Sequence, residues 1–292
     1  MVSPAGRRAQ VRYAVRRRLS CRRACALLGV PRSTLGYVLR RGWGDAALVA
    51  QLRRLAQRHP RYGYRRVWAL LRRAGHQVNA KRIYRLWRRS GLALPRRRPR
   101  RKLRTGARVH PLATAPNAVW TYDFVHDWAA RSGPFKCLTV VDEYTKECLA
   151  LVAARSLPAA EVLRVLGQLV SRYGPPRYLR SDNGPEFIAR RVRRWLARSG
   201  IETAYIAPGK PWQNGVGESF HSRLRDECLD REWFHSLAEA RVLLAQFRRT
   251  YNEQRPHSSL RYRTPAEVGQ DRAPIPAGLL PEHGRMAVLA VT

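Results

Sequence analysis

Apolar residues follow two different spacings along this chain, and the spacing changes near residue 119. Before residue 92 they recur every three or four positions, which predicts amphipathic helices. From Val119 onward, short apolar runs bounded by turn residues alternate with longer helical patterns, which predicts strands mixed with helices. The pattern therefore divides the chain into an all-helical part and an α/β part.

The α/β part begins with three apolar runs joined by short turns, as in an antiparallel meander. Strands are predicted at 119–125, 135–141, 148–153, 178–179 and 203–206, and helices at 159–173, 185–198, 218–231 and 237–251. Three strands followed by alternating helices and strands are typical of a mixed five-stranded sheet flanked by helices, as in ribonuclease H-like folds.

The first helical segment, LSCRRACALLGVPRSTLGYVLRR, has a break at Gly29 and a second short helix from Pro31 to about Arg40. This is a helix-turn-helix pattern, although an ordinary helical hairpin has the same periodicity. The second helix begins with donor side chains of the kind that a recognition helix presents to DNA. These expected DNA contacts are Arg32, Ser33 and Thr34.

A second helical pair follows, with the sequences YGYRRVWALLRRAG and AKRIYRLWRRSG. Gly75 is expected to end its first helix, Asn79 to cap its second, and Gly91 to stop it. Both helices alternate apolar positions with paired arginines, and the resulting basic faces suit a DNA backbone. The expected contacts on these faces are Arg65, Arg82 and Arg85.

A stretch without periodicity, rich in Pro and Arg, follows the helices and marks a linker. Because it is so basic, we expect it to lie along DNA. The expected domains are a helix-turn-helix at 1–45, a second helix-turn-helix-like DNA-binding domain at 46–91, the linker at 92–118, an α/β core at 119–268 and a C-terminal tail at 269–292.

The formal net charge of +37 is concentrated in the first part of the chain. Residues 1–122 contain 32 Lys and Arg against one acid, Asp45, whereas residues 123–292 contain 25 against 19. Codon usage explains a preference for Arg over Lys, but it does not explain the near-absence of acids over such a length. The charge distribution therefore predicts a half that binds a polyanion, with nucleic acid as the partner.

Several classes of protein are disfavoured. No stretch reaches the roughly 18 uninterrupted apolar residues of a membrane span, and no apolar signal core follows the basic N-terminus. The five cysteines lack paired spacing, which predicts reduced thiols in a cytoplasmic protein. Cys21 and Cys25 could suggest zinc, but no His pair lies nearby at ligand spacing, so helix-core cysteines are favoured.

Three acids have contexts that suggest shared chemistry. Asp123 lies inside the first predicted strand, Asp182 at the end of the fourth and Glu218 at the start of a helix, with 35 residues between the last two. The first and fourth strands are neighbours in a sheet of this kind, so the carboxylates could converge. Their oxygens suit Mg²⁺ or Mn²⁺, and two such ions about 4 Å apart stabilise the entering and leaving oxygens of phosphodiester reactions.

Each acid also has a simpler interpretation. The Asn-Gly pair after Asp182 favours a plain turn, and Glu218 could stabilise a helix N-terminus. Asp123 is harder to explain structurally, because an unpaired Asp in a buried strand is costly. Asp127 and Asp142 are the competing acids, and Asp142, at a strand end beside a turn, is left open as a metal ligand in place of Asp123.

Four segments carry a resemblance to a known family: WTYDF, SDNGPEF, GKPWQNGVGESFHSRLRDECL and YNEQRPHSSLRYRTPAEV. Over about residues 19–268 the chain resembles the second-reading-frame (orfB) transposases of the insertion-sequence-three family, which belong with retroviral integrases to the DDE superfamily. The resemblance implies an integrase catalytic core in which Asp123, Asp182 and Glu218 bind two divalent ions. The His and Cys zinc module of retroviral integrases is missing, which favours the bacterial branch.

The resemblance also implies residues that touch DNA. The loop from Pro208 to Gly215, with Gln213 and Asn214, is similar to the mobile loop that borders donor DNA. Arg225, seven residues after the glutamate, matches the family's basic residue near the active site. The C-terminal signature begins at Tyr251, and its His257 is expected to pack or to contact DNA rather than to bind metal.

The implied function is DNA transposition: cleavage at the element's ends by activated water, then attack of the freed 3'-hydroxyl on a second phosphodiester. The implied partners are terminal inverted repeats and target DNA. A homomultimer is expected because two ends are joined in one reaction, and family members are usually frameshift fusions with an upstream frame, orfA. An inactive DNA-binding regulator and a ribonuclease H-like nuclease that only hydrolyses are the alternatives.

Overall fold

The computed structural model describes residues 3–36, 45–95, 112–181, 190–205 and 214–272. The chain forms two compact units, one of Met1–Arg58 with Arg85–Leu92 and one of His59–Tyr84 with Ala93–Thr292. This division cuts through the second helical pair, whose first helix falls in the same unit as the sheet. Over the described ranges, no helix has both the length and the apolarity needed to cross a bilayer.

The first unit begins with helices α1 (Pro4–Arg16), α2 (Cys21–Leu27) and α3 (Arg32–Leu35), packed around Val11, Ala24, Cys25 and Val30. Gly29, with a φ of +59°, makes the turn between α2 and α3 where a side chain would be strained. The helix-turn-helix pattern predicts α2 and α3. Helix α1 was not predicted, because only one of its residues, Val11, is buried and its apolar pattern is weak.

Three further helices are α4 (Ala46–Arg58), α5 (Tyr64–Arg73) and α6 (Ala80–Arg89). Lys81 N donates a 2.8 Å hydrogen bond to Asn79 Oδ1 at the start of α6, which is the cap expected from the sequence. Cys25 is buried and Cys21 is exposed, and both thiols are free.

The sheet contains β1 (Val119–Ala129), β2 (Gly133–Asp142), β3 (Cys148–Ala154), β4 (Tyr178–Ser181) and β5 (Glu202–Tyr205). Its order is β3-β2-β1-β4-β5. The first three strands are antiparallel, whereas β4 runs parallel to β1, with Trp120 beside Leu179, and to β5. The predicted neighbourhood of the first and fourth strands is confirmed, and the sheet is the mixed five-stranded sheet of a ribonuclease H-like fold.

Helices cover both faces of the sheet. One face packs on α7 (Ala159–Tyr173) and α8 (Arg190–Arg198). The other packs on α9 (Gly215–Leu224), on a five-residue π-helical turn (Arg225–Leu229) and on α10 (Leu237–Glu253). A 3₁₀ turn at Ser258–Leu260 and helix α11 at Pro265–Gly269 follow. The single long helix predicted at 218–231 thus begins earlier and changes to π geometry at Arg225.

Alternation along β1 assigns its side chains to the two faces. Trp120 and Tyr122 enter the core beneath α7 and α8. Val125 and Ala129 pack on the α9 face. Because Thr121 and Asp123 alternate with the first pair, they lie on the face that α9 covers. The sheet therefore directs Asp123 toward the helix that carries Glu218.

Asp142, the last residue of β2, has a different role from Asp123. Its side chain is fully buried, and its Oδ1 accepts hydrogen bonds from Tyr144 N at 2.8 Å and Thr145 N at 3.0 Å. Its Oδ2 accepts from Asn117 N at 2.9 Å and from Arg272 Nη2 at 3.3 Å. Oδ1 therefore closes the β2–β3 turn, and Oδ2 joins it to Asn117 and Arg272. Both oxygens are engaged in structural contacts, which supports Asp123, and not Asp142, as the acid available for chemistry.

Substitution Asp142→Ala leaves three backbone amides without their acceptor and removes one of the two carboxylates that pair with Arg272. We expect the free energy of unfolding to fall by about 3 kcal/mol, as measured by urea denaturation. Asp271→Ala, at an exposed position, is the matched control and should change it by less than about 0.5 kcal/mol. Equal effects of the two substitutions would contradict a structural role for Asp142.

His257 is buried where the chain leaves α10, and its ring meets that of Tyr251 edge-on at 4.8 Å. Burial, with smaller contributions from the charges of Arg255 and Arg66, lowers the pKa of His257 to about 3. The ring is therefore neutral at pH 7, where it packs as an uncharged aromatic group.

This depressed pKa predicts a loss of stability in acid. Below pH 6.5 the unfolded chain takes up a proton on His257 that the folded chain does not, so stability falls as the pH falls. Between pH 6 and pH 5 the free energy of unfolding should drop by roughly 1 kcal/mol more in the natural protein than in His257→Gln. Parallel pH profiles for the two proteins would show that His257 titrates normally in the folded state.

Candidate active site

Asp123 lies in the middle of β1, opposite Thr139 of β2. Its side chain is 24% exposed, so it can be reached from solvent although it belongs to a central strand. Oδ1 accepts a 2.7 Å hydrogen bond from Phe124 N, while Oδ2 is directed to α9. One oxygen is therefore held by the strand and the other faces the helix.

Asn214, at the N-terminal cap of α9, joins this helix to β1. Its Nδ2 donates to Asp123 Oδ2 at 3.3 Å, and its Oδ1 accepts from Thr121 Oγ1 at 2.6 Å. Thr121 and Asn214 are both buried. The two bonds determine which end of the amide faces the carboxylate, because Oδ1 has the hydroxyl as its donor and Nδ2 is left to donate.

His221 makes a second connection between α9 and the sheet. Its Nε2 lies 2.8 Å from Thr139 Oγ1, which in turn donates to Asp123 O at 3.0 Å. Its Nδ1 lies 3.7 Å from Asp123 Oδ2. Burial, and secondarily the charge of Arg225, lowers the pKa of His221 to about 4, so the imidazole is neutral at pH 7. The neutral ring thus lies beside the carboxylate without adding a positive charge, and its Nε2 is held by Thr139.

Glu218 shares one face of α9 with the residues that touch β1. Asn214, Glu218, His221 and Arg225 occur at intervals of four, three and four, which places them on one side of a helix. Asn214 and His221 contact Asp123, and Arg225 Nη2 donates to His126 O on β1 at 3.1 Å. Glu218 is exposed and lies between the first two contacts, so its carboxylate belongs to the side of α9 that faces Asp123.

The donor chemistry of these groups suits a hard divalent cation, since Asp123 and Glu218 provide accessible carboxylate oxygens. Asp182 follows Ser181, the last residue of β4, and lies outside the described residues, as does Gln213. Within the described ranges, no group of three His, Cys, Asp or Glu side chains is arranged to hold a metal ion.

The residues expected to contact DNA fall into two groups. Arg32, Ser33, Thr34, Arg65, Arg82, Arg85 and Arg225 are exposed. Several of these also have intramolecular partners: Arg85 Nη2 lies 3.5 Å from Asp45 Oδ2, Arg65 Nε donates to Tyr64 OH at 3.1 Å, and Arg225 Nη2 donates to His126 O. Asn214 differs, because it is buried beside Asp123. Its position supports a role in holding the carboxylate.

Thr121, Thr139 and His221 were missed by the sequence analysis. The signal for His221 was its spacing of three residues from Glu218, which places both on one helical face. The signal for Thr121 was its spacing of two residues from Asp123 on the same strand. No sequence pattern pairs Thr139 with Asp123, because that contact depends on the register between β1 and β2.

Comparisons with known proteins agree with this fold. Two models described as integrase core domains match residues 113–211 and 199–265, and an HTH-like domain matches residues 43–100. A 31.7 kDa protein of insertion element IS407 from Burkholderia multivorans is 44% identical over 249 residues, covering 85% of this chain and 90% of the relative. A 39.2 kDa protein of IS476 from Xanthomonas euvesicatoria is also 44% identical, covering 85% and 72%.

More distant similarity extends to the Escherichia coli transposase InsD of insertion element IS2, which is 29% identical over 273 residues, covering 84% of this chain and 89% of the relative. Among solved structures, the catalytic core of HTLV-2 integrase in complex with magnesium aligns with a TM-score of 0.43 and 16% identity, covering 54% of this chain and 99% of that one. The matched domains and the 44% identical relatives show that this chain belongs to the bacterial insertion-sequence transposases of the DDE and retroviral integrase superfamily, enzymes that transfer polynucleotide strands.

Proposed function

We propose that Asp123, Asp182 and Glu218 are the catalytic carboxylates with which this transposase cleaves the ends of its element and joins them to new DNA. The supporting observation is the contact of α9 with β1, where Asn214 and His221 both meet Asp123 and flank Glu218 along the helix. Ser181, which precedes Asp182, ends the strand beside β1. The fold thus brings strand β1, the end of strand β4 and helix α9 together.

The three carboxylates would hold two Mg²⁺ or Mn²⁺ ions. Asp123 and Glu218 fit this role because each offers accessible oxygens, which are hard ligands. When bound, such ions lower the pKa of a water or hydroxyl nucleophile and neutralise charge on the phosphoryl oxygens. Water is then the nucleophile for cleavage, and the freed 3'-hydroxyl is the nucleophile for strand transfer.

The surrounding side chains would keep Asp123 in one orientation. Asn214 donates to Oδ2, and Thr121 prevents the amide from flipping. His221, neutral at pH 7, contacts Thr139, whose hydroxyl donates to the backbone carbonyl of Asp123. A carboxylate held in this way does not have to reorganise when it binds a cation, which is the advantage of a preorganised site.

DNA is held, in this proposal, by the basic first part of the chain. The exposed residues Arg32, Ser33 and Thr34 of α3 would read the terminal inverted repeats, while Arg65, Arg82 and Arg85 would contact the DNA backbone. Arg225 and Gln213 would meet DNA nearer the carboxylates. The domains at 1–45 and 46–91, the linker at 92–118, the core at 119–268 and the tail at 269–292 are retained as proposed divisions.

Two ends and a target must be joined in one reaction, so we infer that the enzyme acts as a homomultimer on nucleoid DNA. A frameshift fusion with an upstream orfA product would add another DNA-binding segment. Both inferences concern assembly and are independent of the assignment of the carboxylates.

Substitutions of the carboxylates test the assignment. Asp182→Asn or Glu218→Gln should lower Mg²⁺-dependent cleavage and strand transfer of cognate end DNA by about a thousandfold, because a metal-binding oxygen is lost. Binding of the ends should persist. Glu253→Gln, an exposed acid at the end of α10, should retain activity within about twofold. Full activity of Asp182→Asn would rule the assignment out.

Gly217 tests the positioning role of Asn214. A Cβ at Gly217 would lie 2.6 Å from Asn214 Oδ1, whereas a Cβ at Gly215 meets nothing within 4 Å. Gly217→Ala should therefore displace the amide and lower the cleavage rate by about tenfold, since a displaced group at a preorganised site weakens catalysis. Alanine favours a helix by about 1 kcal/mol over glycine, which offsets much of the cost of displacing the amide, so stability should change by less than about 1 kcal/mol.

The matched variant Gly215→Ala should keep its cleavage rate within about twofold, because the added methyl group meets open space. Both variants are compared by single-turnover cleavage and by thermal unfolding. If Gly217→Ala cleaved at the natural rate, the contact of Asn214 with Asp123 would have no role in the reaction.

A further inference from the structure

The C-terminal signature of this chain contributes a buried arginine that the active site does not use. The side chain of Arg255 is only 3% exposed. Its Nε donates to Glu227 Oε2 at 2.8 Å and its Nη2 donates to Glu227 Oε1 at 2.7 Å. Two parallel hydrogen bonds of this kind fix both position and orientation. Arg255 therefore holds Glu227 rigidly.

Glu227 connects this arginine to the helix that carries the catalytic glutamate. It lies in the π-helical turn Arg225–Leu229, which continues α9 directly. Isolated π-helical turns are rare and are frequent at functional sites. A group attached to Glu227 is thus attached to the C-terminal end of the helix whose first turn contains Glu218.

Helix α5 supplies the other side of the contact. Arg66 Nη1 lies 3.7 Å from Glu227 Oε1, and the guanidinium of Arg66 lies 5.4 Å from the centre of the Tyr62 ring. The guanidinium of Arg255 lies 5.9 Å from the same ring. Tyr62 is therefore placed between two cations that share one carboxylate. We refer to Tyr62, Arg66, Glu227, Arg255 and His257 as the Glu227 cluster.

Further contacts follow along the same helix. The rings of Trp68 and Tyr262 meet edge-on at 5.7 Å. At the end of α5, Arg73 Nη1 donates to Glu267 Oε2 at 3.1 Å. Before α5, Arg61 Nε lies 3.7 Å from Asp226 Oδ1. The contacts therefore extend over the whole length of α5 and reach both the π-helical turn and the C-terminal segment.

The charge balance makes Glu227 the central member of the cluster. Burial is the main reason why the pKa of Tyr62 is raised to about 12, and burial also leaves His257 neutral. Two guanidinium groups therefore share one carboxylate in a largely dry environment. Loss of one partner from a buried ion pair is far more damaging than replacement of the pair, because the remaining charge is left uncompensated.

We propose that Glu227 and Arg255 are positioning residues that hold helix α5, which is part of the HTH-like segment, against the π-helical turn at the end of α9. DNA that contacts the exposed Arg65 of α5 is thereby held in a defined register with the carboxylates. The inference rests on the proposed function, because it takes Glu218 as part of the reacting site. The packing of α5 on the π-helical turn does not depend on that function. Arg66 and Arg73 then form intramolecular ion pairs, although their sequence context suggested a DNA-binding face.

The test uses the full chain with Arg66→Ala, Glu227→Gln and the double variant. Arg72→Ala is the matched control, because Arg72 is an exposed arginine on the same helix. Three quantities are measured: hydrogen exchange of the α5 amides, the affinity for cognate end DNA, and the single-turnover rate of Mg²⁺-dependent cleavage at saturating DNA. Hydrogen exchange reports whether α5 stays packed on the π-helical turn. The affinity measures DNA binding, and the cleavage rate at saturating DNA measures the reaction of DNA that is already bound.

We expect Arg66→Ala and Glu227→Gln each to speed exchange of α5 by about tenfold and to slow cleavage at saturating DNA by about tenfold, with affinity changed by less than about threefold. The double variant should be no slower than Glu227→Gln alone, since both substitutions break one contact. Arg66→Lys, which keeps the charge, should restore part of the rate. Arg72→Ala should match the natural protein in exchange and in cleavage at saturation.

Unchanged exchange in α5, or additive losses of rate in the double variant, would overturn the proposal. If Glu227→Gln does not fold, the comparison of Arg66→Ala with Arg66→Lys decides, since the Arg66 side chain is 21% exposed and tolerates truncation better. Glu218→Gln separates the two hypotheses. Full activity in that variant would refute the proposed function, while its α5 exchange would still report whether the helix is seated.

Discussion

The proposed active site of this transposase depends on the hydrogen bonds between the central strand β1 and the residues of α9 and its N-terminal cap. A carboxylate on a central strand is unfavourable unless polar groups meet it, and both Phe124 N and Asn214 Nδ2 donate to Asp123, with the Asn214 amide oriented by Thr121. The same contact sets the rotation of α9 about its axis, which directs Glu218 toward the strand. Apolar packing of Phe220 and Leu224 on that face of the sheet holds the helix there.

The arginines of α5 fall into two sets. One set is available to DNA, and the other forms ion pairs within the protein. Arg65 of α5 is exposed and can meet a polyanion. Arg66 and Arg73 instead form ion pairs with Glu227 and Glu267 in the unit that contains the sheet. Because adjacent helical residues point in different directions, one pair of arginines can serve both purposes. A strongly basic chain can thus use a few acids, here Glu227 and Glu267, to pair with selected arginines.

Much of the fold could be predicted, because its signals are local. Strong periodicity placed α7 at its observed bounds, and the three apolar runs of the meander correspond to β1, β2 and β3. Helix α1 was not predicted because few of its residues are buried, which leaves its apolar pattern weak. The π-helical turn was not predicted because, over five residues, hydrophobic spacing cannot distinguish it from a continuing α-helix.

The sequence by itself determined the division into a basic helical part and an α/β part, and it pointed to Asp123, Asp182 and Glu218, because charge and periodicity are properties of neighbouring residues. Only the tertiary structure separated Asp123 from Asp142, since the difference lies in partners distant in the chain: Asn214 for the first, and Arg272 with the turn amides for the second. The same reason applies to His221, Thr139 and the Glu227 cluster. Hydrogen-bond register and the pairing of buried charges arise from packing between elements, which no local pattern encodes.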